Sequence, residues 1–270
     1  MCPAFFVAIE RRDSMGDTVS GRGRTRVIRR PRRNPREYVP PEERATQYHE
    51  FRDTAIEDEW NFLGDGREAV DFFNANSNYD ELIRSMNRQD RTAFEDVWVP
   101  GHFMHGQMYN GFENLSYYDK EAVRSYDKIL DQSVIRDAFV VRRQATAEAL
   151  LGAGNRFPTS LEQLQALQGQ VITSKANMST AAAGRGLAIG DSSRKAIEYV
   201  MKFPANTKGA GMWIGDKRIN HFGVRQREFM TNRDIQFRVG QTTYNRRTGK
   251  YEVELIYVGR KEHDYGSSGR

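Results

Sequence analysis

Cysteine is almost missing from this 270-residue chain; Cys2 is the only one. No intrachain disulfide can form, so neither a disulfide scaffold nor a cysteine-rich metal site is on offer. At the terminus Cys2 has no oriented base beside it, and a cysteine nucleophile is not expected. Long apolar runs are missing as well: nothing approaches the roughly 20 residues that cross a bilayer. The apolar "CPAFFVAI" has no basic segment before it and meets "ERRD" at once, unlike a signal peptide. No membrane partner is expected. As written the chain reads as cytoplasmic, or as secreted or injected by a route it does not show. Internal repeats are absent. Acidic residues are absent from residues 22 to 36, "RGRTRVIRRPRRNPR", which hold eight arginines. The formal net charge is +5, so the rest of the chain carries 5 − 8 = −3. The basic character is local to an arm.

What is present divides the chain. Residues 1 to 45 are rich in Gly, Pro and Arg with little apolar periodicity, and read as a disordered basic arm. The folded part is expected over 46 to 262, with a disordered tail at 263 to 270. From 46 to 137 the texture is helical. "DELIRSMNRQ" and "DKEAVRSYDKILDQSVI" repeat apolar residues every three or four positions. Asp119 is the expected N-cap of the second helix, with Ala122, Val123, Tyr126, Ile129 and Leu130 as its buried stripe. From 138 to 258 the texture is β-rich. "AFVVRRQ", "IEYVMKFP", "AGMWIG", "QREFM", "DIQFRV" and "KYEVELIYV" are expected strands, and "RRTG" fits a hairpin loop. "TSLEQLQAL" predicts a short helix with a Thr159–Glu162 capping box. Helices first and strands later predict an α+β domain with an antiparallel sheet.

Three polar pieces interrupt the β-rich half in order. Arg142 lies near the end of "FVVRR". Ser179 and Thr180 lie in "NMSTA". Gln226 and Glu228 lie in "QRE", and alternate residues of a strand share a face. That places Arg225 and Arg227 on the opposite face. Taken singly, each has an ordinary explanation: a solvated strand end, a loop Ser-Thr pair, the wet side of an edge strand.

Their order and the text between them resemble the ADP-ribosyltransferase exoenzyme family, the toxin-like mono-ADP-ribosyltransferases with an Arg–Ser–Glu triad. The family's aromatic-Arg-(Gly or Arg) motif is matched by Val141-Arg142-Arg143. Its aromatic-x-Ser-Thr-Ser motif is matched by "NMSTA", and its (Glu or Gln)-x-Glu motif by "QRE". "GQVITSKANMST", "KAIEYVMKFPANTKGAGMWIG" and "EFMTNRDIQFRV" resemble the intervening segments, so the resemblance spans roughly residues 95 to 258. The departures are Val141 and Asn177 in place of aromatics, and Ala181 in place of the last Ser.

The resemblance implies two packed antiparallel β-sheets around a cleft for NAD, used as co-substrate without a metal. It implies transfer of ADP-ribose to a protein target. Arg142 would hold the NAD phosphates, as a guanidinium can by bidentate bonds. Glu228 would offset the positive charge that builds on the ribose, as a carboxylate does in glycoside hydrolysis. Ser179 and Thr180 would support the donor, with Ser179 orienting Glu228 or the ribose. Gln226 would face the acceptor. An amide is no general base for a guanidinium, which argues against an arginine acceptor. Phe222 and "GDKRINHFGVR" resemble the substrate-recognition loop. Arg194 resembles the arginine of the phosphate–nicotinamide loop, with Arg185 as the alternative.

Other residues have quieter readings. Arg143 is read as a surface charge, the alternative being a second phosphate ligand. Trp213 is read as core. His102 and His105 are spaced i,i+3, but a zinc site needs further ligands that the sequence does not place. Arg22 to Arg36 are suited to a polyanion or nucleic acid through phosphate contacts, or form a solvated tail. "RRPRR" has no interleaved aromatics for base stacking. Two rival functions stand beside transfer: NAD hydrolysis, and an inactive transferase-like domain whose arm binds nucleic acid.

Overall fold

The computed structural model describes residues 8–9, 47–52, 66–92, 112–151, 157–158, 160–188, 195–215 and 227–263. The first helix, α1 (Arg67–Asn76), buries Ala69, Phe72 and Phe73, spaced i, i+3 and i+4. It ends where the Ser77 hydroxyl donates to the Phe73 carbonyl at 2.6 Å. Helix α2 (Tyr79–Ser85) buries Tyr79, Leu82 and Ile83. Helix α3 (Tyr117–Asp131) buries Val123, Tyr126, Ile129 and Leu130 of the expected stripe, and also Asp127. Its N-cap is Ser116, not Asp119. The Ser116 hydroxyl accepts from Asp119 N–H at 3.2 Å and donates to the Asp119 carboxylate at 2.7 Å. A hydroxyl three residues upstream satisfies the free N–H better than Asp119 can from inside the turn. In the short helix Leu161–Gln165 the cap is Ser160, one residue after the expected Thr159; its hydroxyl accepts from Gln163 N–H at 3.3 Å. Thr159, the expected cap, lies outside the described residues.

The class is α+β, as the helix-before-strand order predicts. The strands are β1 (Ala8–Ile9), β2 (His49–Glu50), β3 (Val134–Ile135), β4 (Phe139–Ala145), β5 (Val171–Ser174), β6 (Ser179–Ala181), β7 (Leu187–Ala188), β8 (Ile197–Phe203), β9 (Thr207–Lys208), β10 (Gly211–Trp213), β11 (Glu228–Thr231), β12 (Ile235–Asn245) and β13 (Lys250–Arg260). Eleven form one sheet with the order β1-β5-β12-β13-β8-β4-β6-β11-β10, with β2 and β7 also on β4; β3 and β9 form a separate pair. Most neighbours are antiparallel, but β13 with β8, β2 with β4, and β7 with β4 run parallel. The large sheet is therefore mixed, and the helical lead-in contains β2 and β3. Within the arm, β1 pairs with β5 and lies at one edge of the large sheet. The predicted hairpin joins β12 to β13. Asn245 Oδ1 accepts from Arg247 N–H at 3.0 Å, and Gly249 takes φ 68° to close the turn.

Alternation gives β4, β8 and β11 one aromatic and one polar face. On the aromatic face Phe73 of α1 stacks on Trp213 at 4.9 Å and meets Phe139 edge-on at 5.6 Å. Phe139 stacks on Phe203 at 5.0 Å and meets Phe229 at 5.2 Å. Trp213 is buried, as read from the sequence. Each such pair adds about 0.5–1.5 kcal/mol beyond area burial. Phe229 is next to Glu228, so this cluster fixes β11 from behind. A second anchor is ionic. Arg233 donates to both oxygens of buried Asp127, at 2.7 Å from Nη2 to Oδ2 and 3.2 Å from Nε to Oδ1. It ties the turn between β11 and β12 to α3. Among the described residues no helix is long and apolar enough to cross a membrane.

Candidate active site

Strands β4, β6 and β11 lie side by side. Arg142 pairs with Ala181, and Ala181 pairs with Glu228. The three residues form one row across the sheet, and paired residues point to the same face. Two strand spacings of about 4.8 Å separate the ends of that row. The middle position is alanine, so little side chain fills the space between guanidinium and carboxylate. Ser179 lies two residues before Ala181 and shares its face. Its hydroxyl donates to Glu228 Oε1. The structure thus brings Arg142, Ser179 and Glu228 together, and Ser179 and Glu228 are largely buried.

Thr180 is not on that face. It has no exposed surface, and its hydroxyl donates to the Phe229 carbonyl at 2.6 Å. Alternation turns it away from Ser179 and onto the neighbouring strand's backbone, so it is corrected from a donor-binding residue to one that locks β6 to β11. Arg143 is also corrected. It is buried rather than at the surface, and its Nη1 donates to the Ser179 carbonyl at 2.6 Å. It supports the Ser179 backbone from the opposite face. Arg227, expected on a polar face, has no exposed surface and takes φ 45°. Strand β11 begins only at Glu228. The period-2 rule therefore cannot be carried back from Glu228 to position 226. Gln226, Phe222, Arg194, Arg225, His102, His105, Cys2 and the arginines from Arg22 to Arg36 lie outside the described residues.

Asn177 stands where the sequence reading noted a departure from an aromatic. It is buried, and its Nδ2 donates to the Thr231 carbonyl at 3.0 Å. Met178 N–H donates to the Thr231 hydroxyl at 2.9 Å. Hydrogen bonds, rather than ring packing, hold the start of β6 to the end of β11.

One carboxylate in the site escaped the sequence reading. Glu198 of β8 is buried and lies 3.6 Å from Arg142 Nη1. It accepts from Gly186 N–H at 3.2 Å. Burial pushes its carboxyl above the ordinary range; the Arg142 charge and the Gly186 N–H oppose this, Glu252 adds to it, and Arg185 opposes it. The signal in the sequence was a lone acid inside the apolar run "IEYVMKF". Glu50 of β2 approaches the same guanidinium, 3.6 Å from Nη2. On α3, burial pushes the Tyr126 hydroxyl well up, and the nearby charges of Glu228 and Asp127 add to the effect. A separate open cavity of about 1070 Å³ is lined by residues that include Tyr48, Glu50, Glu68 and Asp71. Of the site residues only Glu50 borders it. Among the described residues no group of three or more His, Cys, Asp or Glu side chains is placed to hold a metal ion.

No family model matches the sequence, and no curated protein matches it. Solved structures do. C3stau2 from S. aureus, determined with NAD, is similar at 15% identity and TM-score 0.58, over 78% of this chain and 100% of that one. Plx2a, an ADP-ribosyltransferase toxin from Paenibacillus larvae, is similar at 12% identity and TM-score 0.58, over 77% and 100%. The Clostridium limosum C3 exoenzyme is similar at 11% identity and TM-score 0.57, over 79% and 98%. The chain has the fold of the C3-like ADP-ribosyltransferase exoenzymes and toxins.

Proposed function

We propose that the chain is a mono-ADP-ribosyltransferase that cleaves NAD at the nicotinamide–ribose bond and transfers ADP-ribose to a protein side chain. The observation that carries this reading is the Ser179–Glu228 hydrogen bond beside Arg142, on one face of a sheet. That donor set suits a dinucleotide: a cation for two phosphates and a fixed carboxylate for a sugar that turns cationic. When the glycosidic C–N bond breaks, its electron pair leaves with nicotinamide. The anomeric carbon becomes electron-poor and bonds to the acceptor's lone pair, and the acceptor sheds its proton. Glu228 offsets the developing charge, and its low exposure makes the charge count for more than in water. Ser179 holds the carboxylate in one orientation. Arg142 binds the phosphates, and Arg194 assists. Gln226 and Phe222 serve the acceptor side, and Arg22 to Arg36 serve as a contact for polyanions.

The test is incubation of the full chain with labelled NAD and a cell lysate, read by mass spectrometry. ADP-ribose on protein side chains is the expected result. Free ADP-ribose without modified protein would make the chain a glycohydrolase. Intact NAD would leave only the non-catalytic reading.

A further inference from the structure

The Arg142 guanidinium sits between two carboxylates of unlike exposure. Each is 3.6 Å away, but the Glu198 side chain is 4% exposed and the Glu50 side chain 63%. Glu198 is not a loose neighbour. It lies opposite Gln144 in the β4–β8 register, on the face that carries Arg142. Its Oε1 accepts from Gly186 N–H, while Gln144 Nε2 donates to the Gly186 carbonyl at 3.2 Å. Gly186 is pressed onto β4, and a Cβ there would lie 2.8 Å from the Arg143 backbone. Glu198, Gln144 and the Gly186 segment thus form one packed support beside Arg142. A buried carboxylate persists only where charge and hydrogen bonds compensate it. Here the compensation comes from Arg142 and from the Gly186 N–H.

We propose that Glu198 is a positioning residue for the diphosphate of NAD. It engages the Nη1 side of the Arg142 fork and leaves the Nη2 side, with its own pair of N–H donors, turned toward the ligand. Glu50 stands at that outer side from the exposed strand β2, where an incoming phosphate displaces it. The two carboxylates therefore act in opposite directions on one guanidinium. The inference rests on the transferase reading above, and it concerns donor affinity rather than the cleavage step.

The experiment measures the NAD dissociation constant and steady-state NAD cleavage for the full chain and for Glu198→Gln, Glu50→Gln, Arg142→Ala and the Glu198→Gln/Arg142→Ala double variant. Glu198→Gln keeps an acceptor for Gly186 N–H but removes the charge that holds Arg142. It is expected to raise Kd and KM about tenfold with little change in kcat, at the low end of what loss of an orienting partner costs. Glu50→Gln is expected to lower Kd. With Arg142 replaced by Ala, the Glu198 substitution is expected to add nothing. A wild-type chain that binds NAD while Glu198→Gln binds it equally well or better overturns the inference and leaves the transferase reading standing. So does an effect that persists without Arg142, or a Glu50→Gln loss equal to that of Glu198→Gln. A wild-type chain that neither binds nor cleaves NAD overturns both. If circular dichroism shows Glu198→Gln to be unfolded, Glu198→Asp takes its place. It keeps the charge but withdraws it by one methylene, and an unchanged Kd for it overturns the inference.

Discussion

Replacing Glu228 by Gln is the sharpest test of the proposed chemistry. The substitution replaces one carboxylate oxygen by an NH2 group and is nearly isosteric. The Glu228 side chain is buried, so a large change would be felt by the sheet, but an amide of the same shape is not. The Gln carbonyl oxygen can still accept from the Ser179 hydroxyl, which now bonds to Glu228 Oε1. The backbone bonds of position 228 are untouched, including Ile214 N–H to its carbonyl at 3.0 Å. Folding stability and NAD affinity are therefore expected to stay close to wild type. What disappears is a fixed negative charge facing a sugar that turns positive. Losing one preorganised electrostatic group costs about 3–4 kcal/mol, or about a hundred- to a thousandfold in kcat. The assay is release of nicotinamide at saturating NAD, alongside thermal melting and NAD binding. A folded, NAD-binding Glu228→Gln chain that keeps near-normal kcat would refute the role given to this carboxylate.

Gln226→Ala should lower protein modification while NAD hydrolysis by water persists; equal loss of both reactions would place Gln226 on the donor side. Deleting residues 22 to 36 should leave NAD cleavage intact and weaken binding to a polyanion such as heparin, with the difference shrinking as salt rises; loss of cleavage would assign the arm to the catalytic domain. His263 contacts Asp131 at 3.1 Å and Asp234 at 3.2 Å, and lies 3.8 Å from Asp127. Burial pulls its pKa down, but these three carboxylates outweigh that and Arg233 opposes them, so the net direction is upward. A raised folded-state pKa gives stability that is fully present below the unfolded value, about 6.5, and is lost as pH rises through the folded value. The melting-temperature gap between wild type and His263→Gln should therefore be wide at pH 6 and narrow by pH 9, and a gap independent of pH would remove the ionic role.

Much of the architecture was legible because local pattern carries it. The apolar spacing of Val123, Tyr126, Ile129 and Leu130 specifies a buried helix face whatever it packs on. The alternation in "IEYVMKF" and "KYEVELIYV" specifies strands, and "RRTG" with Gly249 specifies the hairpin loop between β12 and β13. The order of Arg142, Ser179 and Glu228 was readable as a resemblance, since residue type and order can be read without knowing which strands pair. Helix caps were misread by a few residues because Ser116 and Asp119, or Ser160 and its neighbours, compete for the same free N–H groups.

The tertiary structure decided which strands meet, and so which side chains share a face. Nothing local in "NMSTA" says that Ser179 faces Glu228 while Thr180 turns to the Phe229 carbonyl; the β6–β11 register does. Arg142 and Arg143 are adjacent in sequence and alike in chemistry. Strand alternation sends one to the polar face beside Glu198 and buries the other against the Ser179 backbone. Glu198 went unread in its apolar run because only the pairing of β8 with β4 brings it to Arg142, and the parallel β8–β13 contact joins segments far apart in the chain. Periodicity is set by the backbone of a single strand and is written in sequence. Register and pairing depend on which distant segments bury their faces together, and that is settled only when the whole core closes.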